Sequence, residues 1–168
     1  WVVGSNEITA PIIESSYKRF LLQLEDCLSK NAFLFGSRPS SADYAIFGQL
    51  SALIGFDPTS RTIAHEISPR VIAWQDRMED MSGIDPAEDD WLSYEVAQED
   101  LADIFQEVGK VYLPALLANA KAIAADEKTW TTQIDGAQWE QRSFPYQAKC
   151  LKWINEEFQS LSETDQAR

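Results

Sequence analysis

The segment from Pro39 to Phe56, PSSADYAIFGQLSALIGF, restricts the fold more than any other part of the chain. Ser40 stands three residues before Asp43, the spacing of a reciprocal helix cap. The hydroxyl can accept from the Asp43 N–H, and the short carboxylate can reach back to the Ser40 N–H. The helix launched there carries Tyr44, Ala45, Ile46, Phe47, Leu50, Ala52, Leu53 and Ile54 with hardly a charge among them. A helix so poor in polar surface is expected to run through the centre of a helical domain. Gly48, which costs about 1 kcal/mol relative to alanine in a helix, suggests close approach of a neighbouring helix.

Helical periodicity continues on both sides. Over residues 9–30, Ile12, Ile13, Tyr17, Phe20, Leu21, Leu24, Cys27 and Leu28 recur at three-to-four spacing. Thr9 is the expected N-cap there, with Pro11 in the tolerant first turn. Gly36 and Pro39 break the apolar connector 31–39. Asp57-Pro58 ends the central helix, and a short helix is expected over 59–66. Ser68-Pro69 reads as the cap and first position of another over 69–82, closed by Gly83. Residues 84–96 are acidic, with one tryptophan, Trp91. A long helical pattern over 97–125 must kink or split at Pro114, which has no N–H to donate.

Residues 129–142 change period. Asp135-Gly136 is a favoured two-residue hairpin turn. Counting outward from it pairs Ile134 with Ala137, Thr132 with Trp139 and Trp130 with Gln141, so two tryptophans and Ile134 share a face. A last helix is expected over 145–162, followed by a frayed tail, SETDQAR. The expected fold class is all-α, a helical bundle with a short C-terminal β-hairpin at about 129–142. The expected organisation is a helical core over 1–83, an acidic connector over 84–96, and an extension over 97–168 packed with the core as one domain.

Bulk chemistry narrows the function. The 168 residues carry 14 basic and 27 acidic side chains, a net charge of −13. So acidic a chain is repelled by phosphate backbones, which argues against nucleic acid as a partner. No apolar run reaches the roughly 20 residues of a membrane span, so no membrane partner is expected either. Cys27 and Cys150 fall on apolar helix faces and read as small buried hydrophobes of a reducing, cytoplasmic compartment. One histidine, His65, and no ligand-spaced cysteines leave no metal site to expect. The first residue is Trp1, which is compatible with a fragment or a processed form.

From Phe33 to Gly83 the chain resembles the C-terminal helical domain of glutathione S-transferases. The matching residues are FLFGSRPSSADYAIFGQL, then FDP, then SPRVIAWQDRM. In that family a Pro-Ser-x-x-Asp box caps a buried central helix, and Ser40 and Asp43 stand in those places. The remainder, with VYLPALLANAKAIAA and FPYQAKCLKWI, looks like the extension of a longer bacterial branch. The resemblance implies a transferase whose glutathione, the only cofactor in question, is held by an N-terminal thioredoxin-like domain that also activates the thiol. Nothing of that domain is read in this chain. It implies too a hydrophobic acceptor pocket walled partly by helical-domain side chains, and a homodimer.

Within the chain itself, no cofactor site and no catalytic residue are expected. Ser40 and Asp43 are a structural cap and not a nucleophile with its acid, since no histidine is near in sequence. His65 reads as a helix-end or exposed residue. Trp91, Tyr112 and Trp139 are the residues named for an acceptor pocket, against the plainer reading that such aromatics pack the hairpin onto the helices. Two other readings stay open: a non-catalytic interaction module of the same superfamily, and a helical domain unrelated to it whose cap is coincidental.

Overall fold

A computed structural model describes residues 5–167. The helices are α1 (Ala10–Lys30), α2 (Ser41–Gly55), α3 (Pro58–Ile67), α4 (Pro69–Glu79), α5 (Tyr94–Asp100), α6 (Ala102–Glu107), α7 (Leu113–Ala124), α8 (Pro145–Ser160) and the short α9 (Glu163–Gln166). Strands β1 (Thr129–Ile134) and β2 (Ala137–Arg142) form one antiparallel hairpin. The fold is all-α with that single hairpin, as the sequence leads one to expect. The chain divides into two compact units. One spans residues 15–107; the other joins residues 1–14 to 108–168. Of the expected core 1–83, the first four residues lie outside the described ones.

In the unit 15–107, the apolar stripe of α1 delivers Leu21, Leu24 and Cys27 to a core with Phe33, Leu34, Leu50, Ile54, Val71, Trp74 and Met78. The α1 cap lies three residues earlier than expected. Asn6 Oδ1 accepts from the Ile8 and Thr9 N–H groups, and Thr9 Oγ1 accepts from Asn6 N. The cap of α4 also differs. The Ser68 hydroxyl makes no cap bond and donates instead to Ala64 O. Glu25 of α1 takes that role, accepting from Arg70 N at 2.8 Å and Val71 N at 3.1 Å. A carboxylate suits the positive end of a helix wherever in the chain it comes from.

Helix α2 has its expected start but not its expected burial. Only Asp43, Leu50 and Ile54 are fully buried. Tyr44, Ala45, Gly48, Gln49, Ala52 and Gly55 face outward. Gly48 meets no atom within 4 Å of where a Cβ would stand, so it marks no close helix approach. The physical reason is residue size: the outward face is apolar in type but built largely of alanine and glycine, whose exposure costs little.

The connector 84–96 lies within the unit 15–107. Residues 87–92 are strapped to the 33–37 turn by Ser37 N→Asp90 O (3.0 Å) and Leu92 N→Phe35 O (2.9 Å). Gly36, at φ +134°, is the residue that allows it, because a Cβ there would sit 2.0 Å from Asp90 O. The pattern over 97–125 breaks twice. Leu101 separates α5 from α6, and a π-helical turn over Val108–Tyr112 precedes α7, whose second residue is Pro114. The wider turn absorbs the hydrogen bond that proline cannot make.

In the second unit the hairpin has the expected register, Ile134 with Ala137, Thr132 with Trp139 and Trp130 with Gln141. Asp135 and Gly136 both take positive φ, the mirror-image turn whose twist suits a hairpin. Trp130, Ile134 and Trp139 pack with Ala122 of α7, joined by Ile12, Ile13, Val111, Ala115 and Ala118. Buried Asn119 fixes the start of α8, donating to Phe144 O at 2.9 Å and accepting from Phe144 N at 2.7 Å. Helix α8 itself buries no residue, and the tail expected to fray turns once more as α9 behind a Ser162 cap.

Candidate functional site

The Ser40–Asp43 pair forms a complete reciprocal cap. Ser40 Oγ accepts from Asp43 N at 3.3 Å, and Asp43 Oδ2 accepts from Ser40 N at 2.8 Å and Ser40 Oγ at 2.6 Å. The second carboxylate oxygen, Oδ1, accepts from Leu34 N at 3.0 Å, tying the 31–39 connector to the head of α2. Asp43 is fully buried, and its bond from Leu34 N is made away from water. Each carboxylate oxygen is committed to a donor, and the serine hydroxyl is spent on the cap. The arrangement holds a backbone and presents no activated nucleophile.

The three aromatics named for a pocket fall in different places. Trp91 belongs to the unit 15–107, where it bridges to Gly36 and lies under the Arg38 guanidinium at 4.7 Å. It is 41 % exposed, with one ring face given to a cation. Tyr112 and Trp139 belong to the other unit. Tyr112, at the end of the π turn, is 47 % exposed; Trp139, at 8 %, packs in the hairpin core. Neither unit alone therefore gathers the three around one cleft. A cleft of about 660 Å³ that the sequence did not suggest runs between α7 and β1, lined by Pro114, Leu117, Ala118, Lys121 and Thr129 to Thr132. It arises because the face of α7 beside the hairpin looks onto the edge of β1, a juxtaposition periodicity cannot reveal.

Three groups that could serve as nucleophiles or thiol activators, Cys27, Tyr17 and Tyr112, shift away from ionisation. Burial pushes the Cys27 thiol up to about 11, with Asp100 adding to the effect. Burial also raises the Tyr17 phenol, which lies near Asp57 and donates to Ser60 O at 3.2 Å. The Tyr112 phenol is raised by burial and then by Cys150. A group that activates a thiol or attacks a substrate works by ionising more readily, and these three do the reverse. Cys150 is half-buried instead of fully buried as expected, and His65 is exposed in the last turn of α3. Among the described residues no three metal-ligating side chains gather, and no helix is long and apolar enough to cross a membrane.

A second buried carboxylate, which no local spacing in the sequence signals, is Glu107. It accepts from Arg19 Nε at 2.8 Å, Arg19 NH2 at 2.7 Å and Ser16 Oγ at 2.8 Å. Such a forked, charge-assisted pair locks α6 to α1. Only the 88-residue separation hid it, since no local spacing signals a contact of that range.

A family model for the glutathione S-transferase C-terminal domain matches residues 10–77. No curated protein and no solved structure matches the chain. The match covers α1 to α4 up to Arg77, the helices whose order and capping are described above. Through residues 10–77, then, this chain is similar to the glutathione S-transferase C-terminal domain.

Proposed function

We propose that this chain is the helical part of a glutathione-transferase-like protein, supplying a wall of the hydrophobic acceptor pocket and no catalytic group of its own. Glutathione, and the residue that activates its thiol, would come from a thioredoxin-like domain outside these 168 residues. The observation that carries the reading is the family match over residues 10–77, made on a segment whose central helix is anchored by Ser40 and Asp43. The upward shifts of Cys27, Tyr17 and Tyr112 agree with a non-catalytic role. For the wall, Trp91 is the named aromatic of the unit 15–107 with ring surface left to offer.

The test is retention on immobilised glutathione together with conjugation of an aryl halide. The chain alone should be neither retained nor active, while still quenching its tryptophan fluorescence when titrated with an apolar electrophile. Retention or turnover by the chain alone would overturn the reading. One observation favours the rival, a non-catalytic interaction module: Trp153, Ile154 and Phe158 of α8 are all about half exposed on a helix that buries nothing. If quenching is absent and Trp91→Phe changes nothing, that rival gains.

A further inference from the structure

The cleft between α7 and β1 lies wholly within the second unit. Its volume of about 660 Å³ falls in the range of small-molecule sites, about 300–1,000 Å³. Along α7 its lining changes character. Pro114 and Leu117 are apolar, and Leu117 is 51 % exposed; Lys121, one turn further on, is a cation. Glu127 joins that end of the cleft because the chain reverses there. Asp126 takes φ +56°, its N–H donates to Ile123 O at 3.2 Å, and Glu127 N donates to Ala122 O at 2.9 Å. These are the paired bonds that close a helix and turn the chain back. The Ser143 hydroxyl donates to Glu127 O at 2.7 Å, so the Glu127 main chain is held from both sides.

Three polar groups on the lining residues have no protein partner. Among the described residues Lys121 and Glu127 make no ion pair, with each other or with any other side chain. Trp130 is 4 % exposed, and its indole N–H is buried with no acceptor among the described residues. It packs in one cluster with Ala122, the neighbour of Lys121. A buried donor left open is uncommon in a folded chain and calls for an acceptor from outside it.

We propose that the cleft binds a free α-amino acid with a large apolar side chain. The ligand's carboxylate accepts from Lys121 Nζ and the Trp130 indole N–H, its ammonium donates to Glu127, and its side chain lies along Leu117 and Pro114. Charge selects this class. A simple anion meets Glu127 in the same cleft, on a chain of net charge −13, and a simple cation meets Lys121. A zwitterion answers both charges and carries no net charge of its own for the chain to repel. The site uses residues 114–132 alone and stands apart from the transferase reading.

Titration calorimetry of the intact chain with L-phenylalanine tests it. Binding should register with a Kd of about 1 mM or tighter, and glycine, which has no side chain, should not register. N-acetyl-L-phenylalanine lacks the ammonium and L-phenylalaninamide lacks the carboxylate. Each should bind about tenfold more weakly, the loss of one charge-assisted contact. Lys121→Met should erase the preference over the amide alone, and Glu127→Gln the preference over the acetyl compound alone. Both side chains are exposed, so the variants should keep the wild-type circular dichroism, which separates lost binding from lost folding. In an N–H correlation spectrum the Trp130 indole resonance should move as L-phenylalanine is added. No binding at about ten times that concentration would overturn the site, as would equal binding of all four compounds, variants that leave both preferences intact, or an indole resonance that stays in place.

Discussion

The two units are held together in different ways. In residues 15–107 the helix ends are fastened by side chains from far along the chain: Glu25 caps α4, Asp43 ties down Leu34, and Glu107 grips Arg19. A large apolar core lies between them. The unit built from 108–168 with residues 1–14 has a cluster of four buried apolar residues, Ala122, Trp130, Ile134 and Trp139. Its register is set by a two-residue turn, and α8 buries nothing. A small core makes each member costly to lose, whereas a large core fastened by polar clips spreads the load.

That contrast can be broken most sharply at Trp139. Trp139→Ala should destabilise by about 4 kcal/mol, and the loss should appear first as hydrogen exchange in the hairpin amides while α1 and α4 stay protected. Uniform exchange across both units would mean that they do not differ in this way. Asp43→Ala strips three donors of a buried acceptor and should cost about 3 kcal/mol, read as a lower urea midpoint. Ser40→Ala, which loses only the cap, should cost about 1 kcal/mol. Asn119→Ala frees both Phe144 main-chain groups and should cost about 2 kcal/mol, with fraying confined to α8.

The cysteines sharpen the comparison without any mutation. Cys27 is fully buried with its thiol pushed up to about 11, so alkylation there should await global unfolding, while half-buried Cys150 reacts sooner. Because the folded pKa lies above the unfolded one, the stabilising effect is complete below about pH 9 and fades as pH rises toward about 11. Peptide mapping after brief alkylation, repeated along that pH range, checks both statements. The smallest effect has the opposite sign. Gly48→Ala on the open face of α2 should stabilise by up to about 1 kcal/mol, seen as a raised melting temperature. A loss instead would mean that something packs on that face.

What could be read in advance was chemistry confined to a few residues. The Ser40–Asp43 cap, the Asp135-Gly136 turn with its register, and the helix border at Asp57-Pro58 all follow from spacing alone. Each depends on backbone groups within about one turn, so the sequence carries it whole. The candidate site was harder to see. Trp91, Tyr112 and Trp139 stand out by residue type, and type does not say which unit or which depth a ring will occupy. The cleft between α7 and β1 depends on two elements meeting.

Sequence by itself therefore determined the order of the elements, the anchoring of α2 and the pairing within the hairpin. Only the tertiary structure decided that Glu25 and not Ser68 caps α4, that Glu107 takes Arg19, and that Asp90 sits where Gly36 can have no side chain. It also decided that α2 leaves a face of small residues to solvent. The reason is common to all four. Propensity and capping act along the chain, whereas burial and ion pairing are settled by whatever lies across from a side chain, and a helical period names the face but not its neighbour.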